Sequence, residues 1–102
     1  MRVEYKFAPT GVEVLLFGEL DHHAARESIA DIHAWLDQTM PSRLILDMGH
    51  ISFMDSSGIA LILSLYKRMH EQGGSMALRS LPPAVKRLLS AAGVERIVAL
   101  ST

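Results

Sequence analysis

Apolar and polar residues alternate over residues 2–7: Val3, Tyr5 and Phe7 against Arg2, Glu4 and Lys6. A period of two predicts a strand with one buried face. Pro9-Thr10-Gly11 carries turn residues. Val12, Val14, Leu15, Leu16 and Phe17 then predict a more deeply buried strand over 12–18. So short a connection suits an antiparallel hairpin. The period changes next: Ala25, Ile29, Ile32 and Leu36 recur at helical spacing, predicting a helix over 23–38 with Asp21 as a candidate N-cap and Pro41 as its stop.

Leu44-Ile45-Leu46-Asp47-Met48 is an apolar run ending beside an acid, as expected of a central strand covered on both faces. A loop from Gly49 to Asp55 leads to a second helix over 57–71, which Gly73-Gly74 terminates. Met76-Ala77-Leu78 predicts a short strand. Leu81-Pro82-Pro83 opens a third helix, with proline where the first turn tolerates it. Its buried stripe is Val85, Leu88, Leu89 and Ala92, and Gly93 is its C-cap. Ile97-Val98-Ala99-Leu100 predicts a last strand. The order β-β-α-β-α-β-α-β predicts an α/β domain with right-handed crossovers. Its sheet is mixed, because of the opening hairpin, and the helices pack on it. Strand order stays open at this point.

The chain has 102 residues, 49% of them hydrophobic, which fits one domain over 1–102 with a single core. A formal net charge of −1 argues against nucleic acid and against a polybasic membrane anchor. The absence of cysteine removes disulfides, thiolate nucleophiles and Cys-based zinc sites. Residues 1–6 lack the apolar run of a signal peptide, and Ile59 to Leu65 is too short to span a bilayer. The expectation is a soluble, cytoplasmic protein.

The candidate chemistry sits at Ser52-Phe53-Met54-Asp55-Ser56-Ser57-Gly58, which follows the central strand and opens the second helix. In open α/β sheets, function gathers at the C-terminal ends of strands. Free N–H groups at a helix start favour an anion, so a phosphate on a serine there could be held by them. Physics alone favours the plainer reading, in which Asp-Ser-Ser caps the helix and Gly58 allows close packing.

The segment does not stand alone. Gly18-Glu19-Leu20-Asp21-His22-His23, then residues 52–58, then Tyr66-Lys67-Arg68 through Gly73-Gly74, then Pro83-Ala84-Val85-Lys86-Arg87-Leu88, resemble the STAS-domain anti-sigma-factor antagonists. The likeness is to the sporulation antagonists of endospore-forming bacteria, and it runs over residues 3–100. It implies a STAS-type fold and a regulatory module, not an enzyme and without a cofactor of its own. The serine after the aspartate, Ser56, would be phosphorylated by the anti-sigma factor, itself a serine kinase carrying ADP or ATP. The unphosphorylated form would bind that kinase and free a sigma factor, and a PP2C-type phosphatase would restore binding. The resemblance puts Asp21, Asp55 and the helix start, with Ser57 and Gly58, on the docking surface, and His22 on its rim. The chain departs from the family at Ile59-Ala60, where Leu-Gly is common, and relatives often continue into a further helix beyond the position of Thr102. Two alternatives stay open: a STAS regulator in a stress-signalling circuit, and a STAS module that senses a small ligand.

On a wheel at 100° per residue, Ile59, Ile62, Leu63, Tyr66 and Met69 share one arc and read as core. Leu61 points away from that arc and is expected to contact the partner. Other signals are weak. A nucleophile elbow needs glycine where Met54 stands. Adjacent His22 and His23 do not suit one metal ion, and Gly73-Gly74 lacks the lysine of a phosphate loop. Asp47 and Asp55 read as a strand-end acid and a cap, and Lys67-Arg68 and Lys86-Arg87 as solvated surface.

Overall fold

The computed structural model describes residues 1–101. Nine elements follow in order: β1 (Arg2–Ala8), β2 (Gly11–Leu20), α1 (His22–Thr39), β3 (Arg43–Met54), α2 (Ser56–Glu71), β4 (Ser75–Arg79), α3 (Pro83–Ala91), a 3₁₀ turn (Val94–Arg96) and β5 (Ala99–Ser101). The strands form one sheet in the order β1-β2-β3-β4-β5. β1 is antiparallel to β2, and the remaining neighbours are parallel. The mixed α/β sheet expected from the hydrophobic pattern is therefore present, and its strands stand in chain order.

That order has a consequence for the layers. Each of α1, α2 and α3 connects two adjacent parallel strands, and each step moves across the sheet in the same direction. Right-handed crossovers then place all three helices on one face. The burial alternation agrees. Val12, Val14 and Leu16 of β2, Leu44, Leu46 and Met48 of β3, and Met76 and Leu78 of β4 enter the same core as Ile32, Leu36, Leu61, Ile62, Leu65 and Leu89 from the helices. The side chains between them point to the other face, which carries Glu13, Asp47 and Arg79. Arg79 donates to Asp47 Oδ2 from Nε at 3.2 Å and from Nη2 at 3.0 Å, and it also pairs with Glu13. β3 is thus not apolar on both faces: one face is core, and the other carries a polar lattice.

Pro9-Thr10 makes the hairpin turn, since Ala8 pairs with Gly11. Gly11 has φ +156°, and a Cβ there would collide with the backbone carbonyl of Arg43 on β3. Glycine is required because the parallel strand passes so close.

Two boundaries differ from expectation. β3 runs on through Ile51-Ser52-Phe53-Met54, where a loop was expected. β2 extends with it to Leu20, and two register irregularities, between Leu15 and Phe17 and between Gly18 and Glu19, keep the pair together. Bulged strands twist and re-aim their side chains, which suits the end of a strand that carries a site. The final strand is also shifted: Val94–Arg96 is a 3₁₀ turn, Ile97 is helical in backbone, and pairing begins at Ala99. Thr102 lies outside the described residues. Among the described residues, no helix is long and apolar enough to cross a membrane.

Candidate functional site

The C-terminal ends of β2 and β3 lie side by side, with Leu20 paired to Met54. The Asp55 N–H approaches the Leu20 carbonyl at 3.4 Å, so the two strands release their chains together. Each chain then turns into a helix through an aspartate. Asp21 has extended backbone and accepts from the Ala24 N–H at 2.9 Å. Asp55 likewise accepts from the Ser57 N–H at 2.8 Å. Side-chain caps of this kind satisfy donors that the first helical turn leaves free. Two parallel strand ends and two capped helix starts therefore bring residues 21–22 and 55–58 into one patch.

The two serines differ in their surroundings. Ser56 is the first residue of α2, and it is exposed. Ser57 is half-buried, with its N–H committed to Asp55 and its Oγ 3.4 Å from His22 Nδ1. The His22–Ser57 contact ties the start of α1 to the start of α2. His23 turns the other way and pairs with Glu27 one helical turn on, at 3.3 Å. The two histidines thus serve different neighbours.

Gly58 is buried, and its Cα faces the sheet. A Cβ there would overlap the Met54 side chain and come within 3.1 Å of Leu20. The glycine lets α2 start directly against the strand ends that carry the patch. Its N–H donates to the Asp55 carbonyl at 3.0 Å. The amides of Ser57 and Gly58 are both engaged, so the helix start does not offer them to a phosphate. In the unmodified chain the plainer reading holds for these two groups, with Asp55 capping the helix.

Leu61 requires a correction. It is 0% exposed and belongs to the core. The buried stripe of α2 is Gly58, Leu61, Ile62, Leu65 and Met69, while Ile59, Leu63 and Tyr66 are half-buried. Apolar residues extend around more than half of this helix, so several of its leucines could have faced the core; Gly58 lies on the buried stripe, against Met54 and Leu20.

One exposed apolar side chain at the site was missed. Phe53 is 52% exposed at the end of β3. It lines a groove of about 250 Å³ with Ile51, Ser52, Met54, Pro82 and Val85, between β3 and the start of α3. A large exposed aromatic beside an apolar groove suits protein docking. No periodic signal announced it: along Ile51-Ser52-Phe53-Met54 burial does not alternate, since Ile51 is buried and Phe53 is exposed.

Contacts between α1 and α2 stiffen the patch from behind. His33 Nε2 lies 2.9 Å from Ser64 Oγ, and Arg68 pairs with Asp37. Arg68 is thus a cross-link between helices and not solvated surface. Burial lowers the His33 pKa below 6.5, and the Arg68 charge lowers it further. Asp47 is held by Arg79 and by the Gly49 N–H at 2.9 Å, so it is a strand-face acid engaged elsewhere than Asp55.

Comparison with known proteins follows the same lines. The family model for the STAS domain matches residues 3–102. A protein of Paenibacillus polymyxa named anti-sigma F factor antagonist is 35% identical over 85 residues, 83% of this chain and 73% of its own length. The solved structure of the anti-sigma factor antagonist SpoIIAA in its unphosphorylated form superposes with TM-score 0.83 at 28% identity, covering 99% of this chain and 89% of that one. The phosphorylated form of the Bacillus cell fate determinant SpoIIAA gives TM-score 0.75 at 27% identity, covering 99% and 92%.

Proposed function

Because this chain belongs to the STAS domain family, we propose that it is an anti-sigma-factor antagonist switched off by phosphorylation of Ser56. In this reading the unphosphorylated chain binds an anti-sigma factor that is a serine kinase carrying ADP or ATP, and so frees a sigma factor. A PP2C-type phosphatase reverses the modification. The observation that carries the choice of residue is the contrast between the serines. Ser56 presents an exposed hydroxyl, whereas Ser57 is half-buried against His22.

The switch follows from charge and bulk at a preformed surface. Phosphorylation adds about −1.5 to −2 charges at neutral pH. On Ser56 that charge stands next to the Asp55 carboxylate, which already caps the helix. The partner that fits a face made of Asp21, His22, Asp55 and the Phe53 groove then meets an added anion at its centre. No element has to refold, because Ser56 already faces solvent and its N-cap is supplied by another residue.

The test combines modification with affinity. The chain is incubated with a candidate anti-sigma kinase and ATP beside Ser56→Ala and Ser57→Ala, and phosphate is mapped by peptide mass spectrometry. The expected result is one phosphate on wild type and on Ser57→Ala, and none on Ser56→Ala. Ser56→Asp should bind the kinase about tenfold or more weakly than Ser56→Ala, a difference of about 1.4 kcal/mol. Phosphate mapped to Ser57, or equal affinity of the two Ser56 variants, overturns the proposal.

A further inference from the structure

β1 is an edge strand, with β2 as its single neighbour in the sheet. Such a strand presents a row of unpaired backbone N–H and C=O groups, which proteins usually protect with proline, bulges, charge or a covering element. Arg2–Ala8 contains no proline, and its pairing with β2 runs without a register shift. Its protection is charge alone: Arg2, Glu4 and Lys6 on one face. Arg2 Nε and Glu4 Oε2 pair at 3.2 Å, while Lys6 has no ion-pair partner among the described residues. The opposite face carries Val3, Tyr5 and Phe7. Tyr5 and Phe7 pack at a tilt against Trp35 of α1, with centroids at 4.5 Å and 6.0 Å, and Phe7 remains 78% exposed. This aromatic ledge stops at the strand's open edge.

A second copy of the same strand complements it in one register. When two β1 strands run antiparallel about Tyr5, Val3 of each faces Phe7 of the other, and Glu4 of each faces Lys6 of the other. Directly opposed apolar pairs and opposite charges both stabilise antiparallel strands. Centring the pair on Glu4 sets Glu4 against Glu4 and Arg2 against Lys6. Centring it on Lys6 sets Lys6 against Lys6. Registers centred between residues set charged side chains against apolar ones. The charge order along β1 therefore selects a self-complementary pairing while opposing its neighbours.

We propose that two copies of this chain associate through β1, antiparallel about Tyr5, joining their five-stranded sheets into one continuous sheet. Lys6 then lies between Glu13 of its own hairpin, its cross-strand neighbour, and Glu4 of the second copy. The Phe7 ring is covered by Val3 of the second copy. The surface is only one strand long, so association depends on concentration. None of these residues belongs to the Ser56 patch, so the pairing is independent of the proposed switch.

The test is sedimentation velocity and light scattering across a concentration series up to millimolar, at low and high salt, on wild type, Glu4→Lys and Lys6→Glu. Wild type should dimerise, less tightly at high salt. Each variant alone turns two attractive pairs into two repulsive ones and should raise the dimer dissociation constant about tenfold or more. An equimolar mixture of the two variants restores both opposite-charge pairs and should dimerise like wild type. Recovery on mixing also shows that both variants are folded. A wild type that stays monomeric overturns the proposal, as does a dimer that neither substitution weakens or a mixture that does not recover.

Discussion

Leu61→Ala measures whether this residue belongs to the core or to the docking surface. The side chain is 0% exposed and packs with Ile62, Leu65 and Met69 in the shared core. Truncating a fully buried leucine removes its transfer free energy and leaves a cavity, at a cost of about 3–5 kcal/mol. A domain of this size has about 5–15 kcal/mol of total stability. The loss is therefore a large fraction, but the variant should still fold in the cold. At roughly 4–8 °C per kcal/mol for a domain of about this length, a loss near 3 kcal/mol lowers the melting temperature by about 12–24 °C. Urea unfolding followed by circular dichroism gives the free energy, with an unchanged slope as the check on two-state behaviour. Kinase affinity, measured well below the melting temperature, should stay within about twofold of wild type, since a buried side chain contacts no partner. A loss below about 1 kcal/mol together with lost binding would refute the assignment and return Leu61 to the surface.

Three further outcomes separate the parts of the molecule. Phe53→Ala should change stability by about 0.5 kcal/mol or less, because the ring is half outside the protein, yet weaken kinase binding about tenfold or more, as calorimetry would show. Arg79→Ala strips the nearly buried Asp47 of its cation and should cost about 1–3 kcal/mol in urea unfolding, with Asp47→Asn in the same background recovering part of the loss. His33 has its pKa lowered in the fold by burial, so folding disfavours its protonated form. Its contribution is full above the unfolded value of about 6.5 and is lost as pH falls through the lowered folded value. His33→Gln should therefore flatten the fall in stability below pH 6.5, and a variant with the wild-type slope would show that other groups cause it.

The local determinants of this fold act over a few residues, and they can be read along the chain. Alternation in Val3-Glu4-Tyr5-Lys6-Phe7, the helical spacing of Ala25, Ile29, Ile32 and Leu36, the caps at Asp21 and Asp55 and the break at Gly73-Gly74 each depend on backbone geometry within a turn or a strand. They set the element order and the α/β class, and the motifs around Asp21 and Asp55 marked both halves of the candidate site. Tertiary packing decided the rest, because those choices involve partners distant in sequence. Strand order follows from how each crossover lays its helix on the sheet. The end of β3 is a strand because β2 runs beside it to Leu20, a pairing that Ser52-Phe53 by itself does not announce. Helix α2 is apolar around more than half of its circumference, so its own sequence could not choose which leucine to bury. Packing against the sheet settled it: Gly58 sits against Met54 and Leu20, Leu61 is buried in the core and Ser56 is exposed.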